Sequence, residues 1–194
     1  MYYAGVSALA GILAWRWWGA APAVPLWIFA GFCLYFFRDP EREIPQGPYA
    51  VSPADGKVLT VAEEAGGVKR LSIFLNIFDV HVNRAPIGGV IAEVKYRRGK
   101  FLVASKEAAS VENEQNSVTI RQGATEVTFK QIAGLIARRI VFWKQVGDEV
   151  QAGERVGLIK FGSRVDVLLG PEWEVVVRPG ERVKAGSSVL ARRS

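Results

Sequence analysis

The sequence predicts a mainly β, barrel-sandwich-like domain with biotinyl/lipoyl-like repeats and an N-terminal apolar helical hairpin. Three observations predict it. Residues 1–37 are almost all apolar or aromatic, and they break once, at Gly19-Ala20-Ala21-Pro22-Ala23-Val24-Pro25. From residue 57 onward, short β-prone runs alternate with Gly and Pro breaks, the pattern of an all-β barrel or sandwich. Near the C-terminus a turn recurs: Gly147-Asp148-Glu149-Val150-Gln151-Ala152-Gly153 matches Gly180-Glu181-Arg182-Val183-Lys184-Ala185-Gly186. Paired turns of this G-[DE]-x-V-x-A-G type face each other in barrel-sandwich folds. They indicate fold rather than function.

The apolar region comes first. It holds Trp15, Trp17, Trp18 and Trp27 of the six tryptophans. Its halves, residues 2–18 and 25–37, are shorter than the roughly 20 residues of a comfortable membrane span. A signal peptide fits poorly, because no basic segment leads and the apolar run resumes after the break. The expectation is a hairpin that crosses or dips into the cell membrane with aromatics at the interface. A buried soluble hairpin is the alternative. Arg38, Arg42 and the basic body place the remainder, residues 38–194, on the cytoplasmic side.

Arg38-Asp39-Pro40-Glu41-Arg42-Glu43-Ile44-Pro45 is a linker, since two prolines so close forbid a regular strand. Strands are then expected at 57–62, 70–78, 80–84, 89–96, 117–121, 126–131 and 139–146. Residues 132–138 could form a helical turn.

Composition narrows the function. The 194 residues carry a net charge of +6, and the pI is about 9.6. That favours anionic partners: a lipid surface, a phosphate-bearing ligand or nucleic acid. Residues 38–194 show no basic and aromatic stripe, so nucleic acid is not expected. The single cysteine, Cys33, excludes a disulfide framework and a cysteine-rich zinc site, and no metal is expected. Acid–base chemistry near neutral pH must use His81, the one histidine, a perturbed carboxylate or lysine, or a group the chain makes for itself.

Four pieces can carry chemistry: Ser52-Pro53-Ala54-Asp55-Gly56, Asp79-Val80-His81-Val82-Asn83-Arg84-Ala85-Pro86, Asn113-Glu114-Gln115-Asn116 and Phe161-Gly162-Ser163-Arg164. Singly each has an ordinary explanation. Asp55 can stabilise a turn, His81 can be a satisfied strand residue, Arg84 a solvated strand end, and 113–116 a polar loop. Gly162-Ser163 is more suggestive. Glycine leaves its carbonyl sterically open, and a serine hydroxyl one residue away can attack it.

Together, in this order and spacing, these pieces resemble the phosphatidylserine decarboxylase family in its short, membrane-anchored form. Phe36-Phe37-Arg38-Asp39-Pro40-Glu41-Arg42 and Gln131-Ile132-Ala133-Gly134-Leu135 extend the resemblance over most of the chain. The resemblance implies a proenzyme. Ser163 would attack the Gly162 carbonyl, and the ester formed would eliminate. The products would be a large subunit, 1–162, and a small one, 163–194, headed by a pyruvoyl group derived from Ser163. That covalent cofactor would form a Schiff base with phosphatidylserine and drive loss of carbon dioxide. Archaetidylserine, with the same head group, is the alternative substrate. The partners implied are the lipid, the membrane and the chain's own two subunits, with a higher homo-oligomer left open.

The resemblance also implies roles. Ser163, His81 and Asp55 would be catalytic, with His81 moving protons. The better-known long members carry His-x-x-His, and Arg84 stands in the second position here. Arginine cannot act as an ordinary base. Either His81 performs both tasks, Asp55 acts without a histidine partner, or Arg84 serves an oxyanion or the lipid phosphate. Arg164 is a second phosphate candidate, and Asn113 and Asn116 are candidate lining residues. A membrane-tethered carrier or adaptor is the competing class. A carrier needs a modifiable lysine at a hairpin tip in a Met-Lys-Met or Asp-Lys-Ala setting, and neither occurs.

Overall fold

A computed structural model describes residues 2–135, 139–160 and 163–193. The chain divides into two compact units, Met1–Pro40 and Glu41–Ser194, where the sequence placed the boundary after residue 37. The first unit is two helices, α1 (Tyr2–Trp18) and α2 (Ala20–Phe36). Gly19, at φ 85°, makes the reversal between them. They pack antiparallel: Tyr3 stacks on Phe37, and Trp15 meets Trp27 edge to face. Trp27 lies so close to Gly11 that a Cβ there would collide with the indole. No helix among the described residues is long and apolar enough to cross a membrane.

The second unit is mainly β. Its strands are β1 (Tyr49–Val51), β2 (Gly56–Glu63), β3 (Lys69–Leu75), β4 (Val82–Arg84), β5 (Gly89–Arg97), β6 (Gln115–Gln122) and β7 (Thr125–Ile132). They continue with β8 (Arg139–Phe142), β9 (Glu149–Val150), β10 (Arg155–Lys160), β11 (Ser163–Leu169), β12 (Trp173–Val175), β13 (Arg182–Val183) and β14 (Val189–Arg193). A short helix, α3 (Ala108–Glu112), lies between β5 and β6.

Eight strands form an antiparallel sheet in the order β13-β2-β3-β11-β7-β6-β5-β9. Two small sheets accompany it, β1-β14-β12 and β4-β10-β8. Alternate residues of the strands fill one core: Leu71, Ile73 and Leu75 from β3, Val165, Val167 and Leu169 from β11, Val127 and Phe129 from β7. Strand β11 is central, flanked along its length by β3 and β7.

The large sheet reads alike from both edges. Arg182-Val183 of β13 pairs with Lys57-Gly56 of β2, and Glu149-Val150 of β9 pairs with Val90-Gly89 of β5. A bulge falls after Val58 in one half and after Ile91 in the other. The recurring turns keep the same backbone: φ is 96° and 76° at Gly147 and Gly153, and 95° and 77° at Gly180 and Gly186. The turns are in contact, with the Gly153 Cα 3.6 Å from where a Cβ on Gly186 would lie.

Strand ends differ from expectation where local side chains intervene. β3 stops at Leu75, not at residue 78, because Asn76 caps a turn: its Oδ1 accepts the Phe78 N–H at 2.7 Å, and Asp79 Oδ2 accepts the Asn76 N–H at 2.9 Å. β8 ends at Phe142, four residues early. Within the expected helical turn, Ile132 is the last residue of β7. Residues 136–138 of that turn lie outside the described residues.

Candidate active site

Sheet register assembles the candidate residues. Lys57 of β2 lies beside Phe74 of β3, Phe74 beside Arg164 of β11, Arg164 beside Ile132 of β7, and Ile132 beside Gln115 of β6. Just past this row, at one end of the sheet, stand Asp55-Gly56, Leu75 paired with Ser163, and Ala133. Asp55 and Ser163 are two strand spacings apart, about 10 Å.

Ser163 opens β11, where the chain leaves the β4-β10-β8 sheet and enters the middle of the large one. It is fully buried, and its Oγ has no hydrogen-bond partner among the described residues. Leaving a buried hydroxyl unpaired costs about 1–3 kcal/mol, so such a group calls for a reason. Gly162, the expected donor of the attacked carbonyl, lies outside the described residues.

His81 sits between β3 and β4, 2% exposed. Its Nδ1 is 2.8 Å from the Asp79 carbonyl. A carbonyl can only accept, so Nδ1 carries a proton; whenever the ring is neutral, the remaining lone pair is on Nε2. The His81 carbonyl accepts the Ile159 N–H at 3.3 Å, which ties it to β10.

Asp55 is nearly buried. Its carboxylate takes the Ala185 N–H at 2.8 Å and the Arg42 guanidinium at 2.8 and 3.1 Å. Burial pushes its pKa up; the Ala185 N–H and Arg42 hold it back, and neighbouring Asp79 adds to the rise.

The other candidates are held differently. Arg84, buried on β4, donates from Nη1 to the Gly153 carbonyl at 3.0 Å, and its Cδ packs near Gly186. It therefore sits at the two facing turns. Arg164 is 1% exposed and, by strand alternation, points to the face opposite Ser163. Its guanidinium meets Asp166, Ser72, Glu107 and the Lys106 carbonyl. Asn113 pins two loops: it bonds both backbone groups of Leu102 at 2.9 Å and the Ala133 carbonyl at 2.7 Å. Asn116 starts a buried amide chain. Its Nδ2 donates to Gln131 Oε1 at 3.0 Å, and Gln131 Nε2 donates to Asn83 Oδ1 at 2.9 Å. Asn83, two residues past His81, continues to the Pro53 carbonyl at 3.3 Å.

Sequence reasoning missed Arg42, Asp79, Asn83 and Gln131 as site residues. Nothing in the collar's mixed charges, Arg38, Asp39, Glu41, Arg42 and Glu43, singled out Arg42. Among the described residues no group of His, Cys and acidic side chains could hold a metal. Lys57 lies inside β2 rather than at a hairpin tip.

Ser163, buried and without a hydroxyl partner among the described residues, and Asp55 stand at one end of a duplicated β sheet, while the buried His81 is tied to β10. A family model described as phosphatidylserine decarboxylase matches residues 29–191. A phosphatidylserine decarboxylase proenzyme of Solibacter usitatus is 65% identical over 196 residues, covering 100% of this chain and 94% of the relative. Proenzymes of the same description from Magnetococcus marinus and Cupriavidus pinatubonensis are 43% and 46% identical, covering 98% and 96% of this chain and 89% and 88% of theirs. The chain belongs to the phosphatidylserine decarboxylase family.

Proposed function

We propose that this protein converts phosphatidylserine to phosphatidylethanolamine and carbon dioxide, using a pyruvoyl group generated from its own Ser163. The observation that carries the reading is the orphaned, fully buried Ser163 hydroxyl at the start of a central strand. It is available to react because no bond holds it among the described residues. The proenzyme relatives support the same chemistry.

In self-cleavage, Ser163 Oγ gives its proton to a base and bonds to the Gly162 carbonyl carbon. The C–N bond between residues 162 and 163 breaks, and the nitrogen takes a proton. A base then takes the Ser163 Cα proton, its bonding pair forms the Cα=Cβ double bond, the Cβ–Oγ bond breaks, and the Gly162 carboxylate leaves. Water replaces nitrogen on the dehydroalanine left at residue 163, releasing ammonia. His81 is the base, through Nε2, because Arg84 is protonated and engaged with Gly153. Asp55, with its pKa raised by burial, supports that proton transfer from the same sheet end.

Once formed, the pyruvoyl group supplies an electron sink for the carbon that loses carbon dioxide. The residues here fit it. The pairing of Ser163 with Leu75 holds position 163 in register. His81, within a buried segment, protonates the product carbon. The amide chain from Asn116 to Asn83 fixes β4 two residues past His81.

Cleavage would leave pieces 1–162 and 163–194 joined. The small piece supplies β11 to the centre of the large sheet, β13 to its edge, and β14 between β1 and β12. The two facing turns support a barrel-sandwich description of the domain. Helices α1 and α2 expose Trp15, Trp17, Trp18 and Ile28. That surface suits a hairpin dipping into the membrane on its cytoplasmic side. The direct test is release of carbon dioxide from carboxyl-labelled phosphatidylserine by the purified protein. Hydroxylamine, which traps carbonyls, should abolish it. Archaetidylserine assayed in parallel decides the lipid backbone.

A further inference from the structure

The buried guanidinium of Arg164 lies across the cut from which the small piece would start. It donates from Nε to Asp166 at 2.6 Å, on its own strand. Its remaining bonds reach the other piece: Nη2 to Ser72 Oγ at 2.6 Å, Nη2 to Glu107 at 3.2 Å, and Nη1 to the Lys106 carbonyl at 3.3 Å. Arg70 extends the cluster. It contacts Glu107 at 2.6 Å, Ser72 at 3.2 Å and Asp166 at 4.0 Å. Two residues of the small piece, Arg164 and Asp166, are thus laced to β3 and to the segment leading into α3.

Burying a guanidinium is expensive unless its donors are met. Here they are met by groups on three separate elements. The arrangement makes sense once the chain is cut. Before cleavage, residue 163 is held from both sides. Afterwards it is the first residue of a chain, and chain ends fray unless something ties them down. A displacement of about 1 Å at a reacting group can cost on the order of a hundredfold in rate.

We propose that Arg164 is a positioning residue: resting on the cleavage argued above, it locks the new N-terminus of the small piece into the sheet and holds the 103–112 segment against it. A lipid phosphate is not its partner, because it points to the sheet face opposite Ser163 with its donors already bonded. Nor does it touch the reacting atoms.

The test uses the full chain as wild type, Arg164→Met, Arg164→Lys and Glu107→Gln. Intact mass reads cleavage, lipid turnover reads kcat and KM, and hydrogen–deuterium exchange reads residues 164–166. Arg164→Met should cleave within about threefold of the wild-type rate, yet lose about tenfold or more in kcat with KM little changed. Its exchange at 164–166 should rise in the cut protein and stay low when Ser163→Ala blocks cutting. Arg164→Lys keeps the charge but not the fork of donors, so it should not rescue. Equal losses of cleavage and turnover, restored together by lowering the temperature, would mean a merely structural arginine and would overturn the proposal. So would unchanged kcat. If Arg164→Met does not fold, Glu107→Gln decides, since that carboxylate is 60% exposed and its loss is tolerable. It should loosen the 103–112 segment to protease and lower kcat a few-fold, and no change in either would overturn the proposal. A wild-type chain that never cleaves would sink the reading of function instead.

Discussion

The two halves of the large sheet share a backbone plan but not a chemistry. Ser52-Pro53-Ala54-Asp55-Gly56-Lys57-Val58 corresponds to Ala85-Pro86-Ile87-Gly88-Gly89-Val90-Ile91, with the recurring turns 180–186 and 147–153 closing each half. Gly180 N–H bonds to the Val58 carbonyl as Gly147 N–H bonds to that of Ile91. Gly56 and Gly89 have φ 155° and 150°, and a Cβ at either would strike a carbonyl, of Phe74 or of Arg121. Those features belong to the scaffold, because both halves need them.

The halves differ at the proposed site residues. Asp55 stands where the other half has Gly88. The Ala185 N–H is taken by the Asp55 carboxylate at 2.8 Å. The matching Ala152 nitrogen is 3.4 Å from where a Cβ of Gly88 would be, with no side chain offered to it. Ser163 pairs with Leu75 as Thr125 pairs with Gln122. Thr125 begins a tight hairpin, and its hydroxyl accepts from Arg193 at 3.0 Å. Ser163 begins after a crossing from another sheet, and its hydroxyl has no partner among the described residues. The half without a task has its polar groups settled. The other half keeps a buried hydroxyl with no partner among the described residues, and a buried carboxylate two strands away.

The comparison can be broken by exchanging the halves' residues. Asp55→Gly copies the silent half into the active one. It should slow self-cleavage by about a hundredfold or more, the scale of a lost proton-transfer partner. The protein should still fold, because Gly88 shows the plan tolerates glycine there. Mass spectrometry with thermal melting checks both halves of that statement. Gly56→Ala and Gly89→Ala probe the shared scaffold. Each should cost about 2–4 kcal/mol by strain and clash, and the two midpoint shifts in urea should agree closely. A large difference would show that the halves are not equivalent. Gln131→Ala cuts the amide chain and strands Asn83 and Asn116. It should lower stability by about 1–3 kcal/mol and slow cleavage only through His81, read as a shifted pH profile. Gly88→Asp should do least to cleavage: a Cβ there would make ordinary contact with the 150–152 backbone, and cleavage should stay at the wild-type rate.

Much of this was legible in the sequence. The recurring glycine turns declared the duplicated β plan, since positive φ at four matched positions demands glycine. The seven strands β2 to β8 were visible as short β-prone runs. The second repeat, Ser52–Val58 with Ala85–Ile91, was harder to see. It rests on one proline, one glycine and one branched residue, and only pairing with the turns reveals it. Ser163, His81 and Asp55 were legible as motifs, but the common sheet end of Ser163 and Asp55 is a product of register between strands far apart in sequence. Arg164 could not be placed from its neighbours alone. Adjacency to Ser163 suggested a shared site, whereas strand alternation sends consecutive residues to opposite faces.

The central claim is that the Ser163 hydroxyl, without a partner among the described residues, reacts with the chain's own backbone. The intact mass of the purified protein under denaturing conditions, beside Ser163→Ala, tests it directly. The account predicts two pieces broken between residues 162 and 163, the small one carrying a carbonyl that reacts with hydroxylamine, and a variant that stays whole. A wild-type chain that remains a single unmodified 194-residue species after prolonged incubation would contradict it.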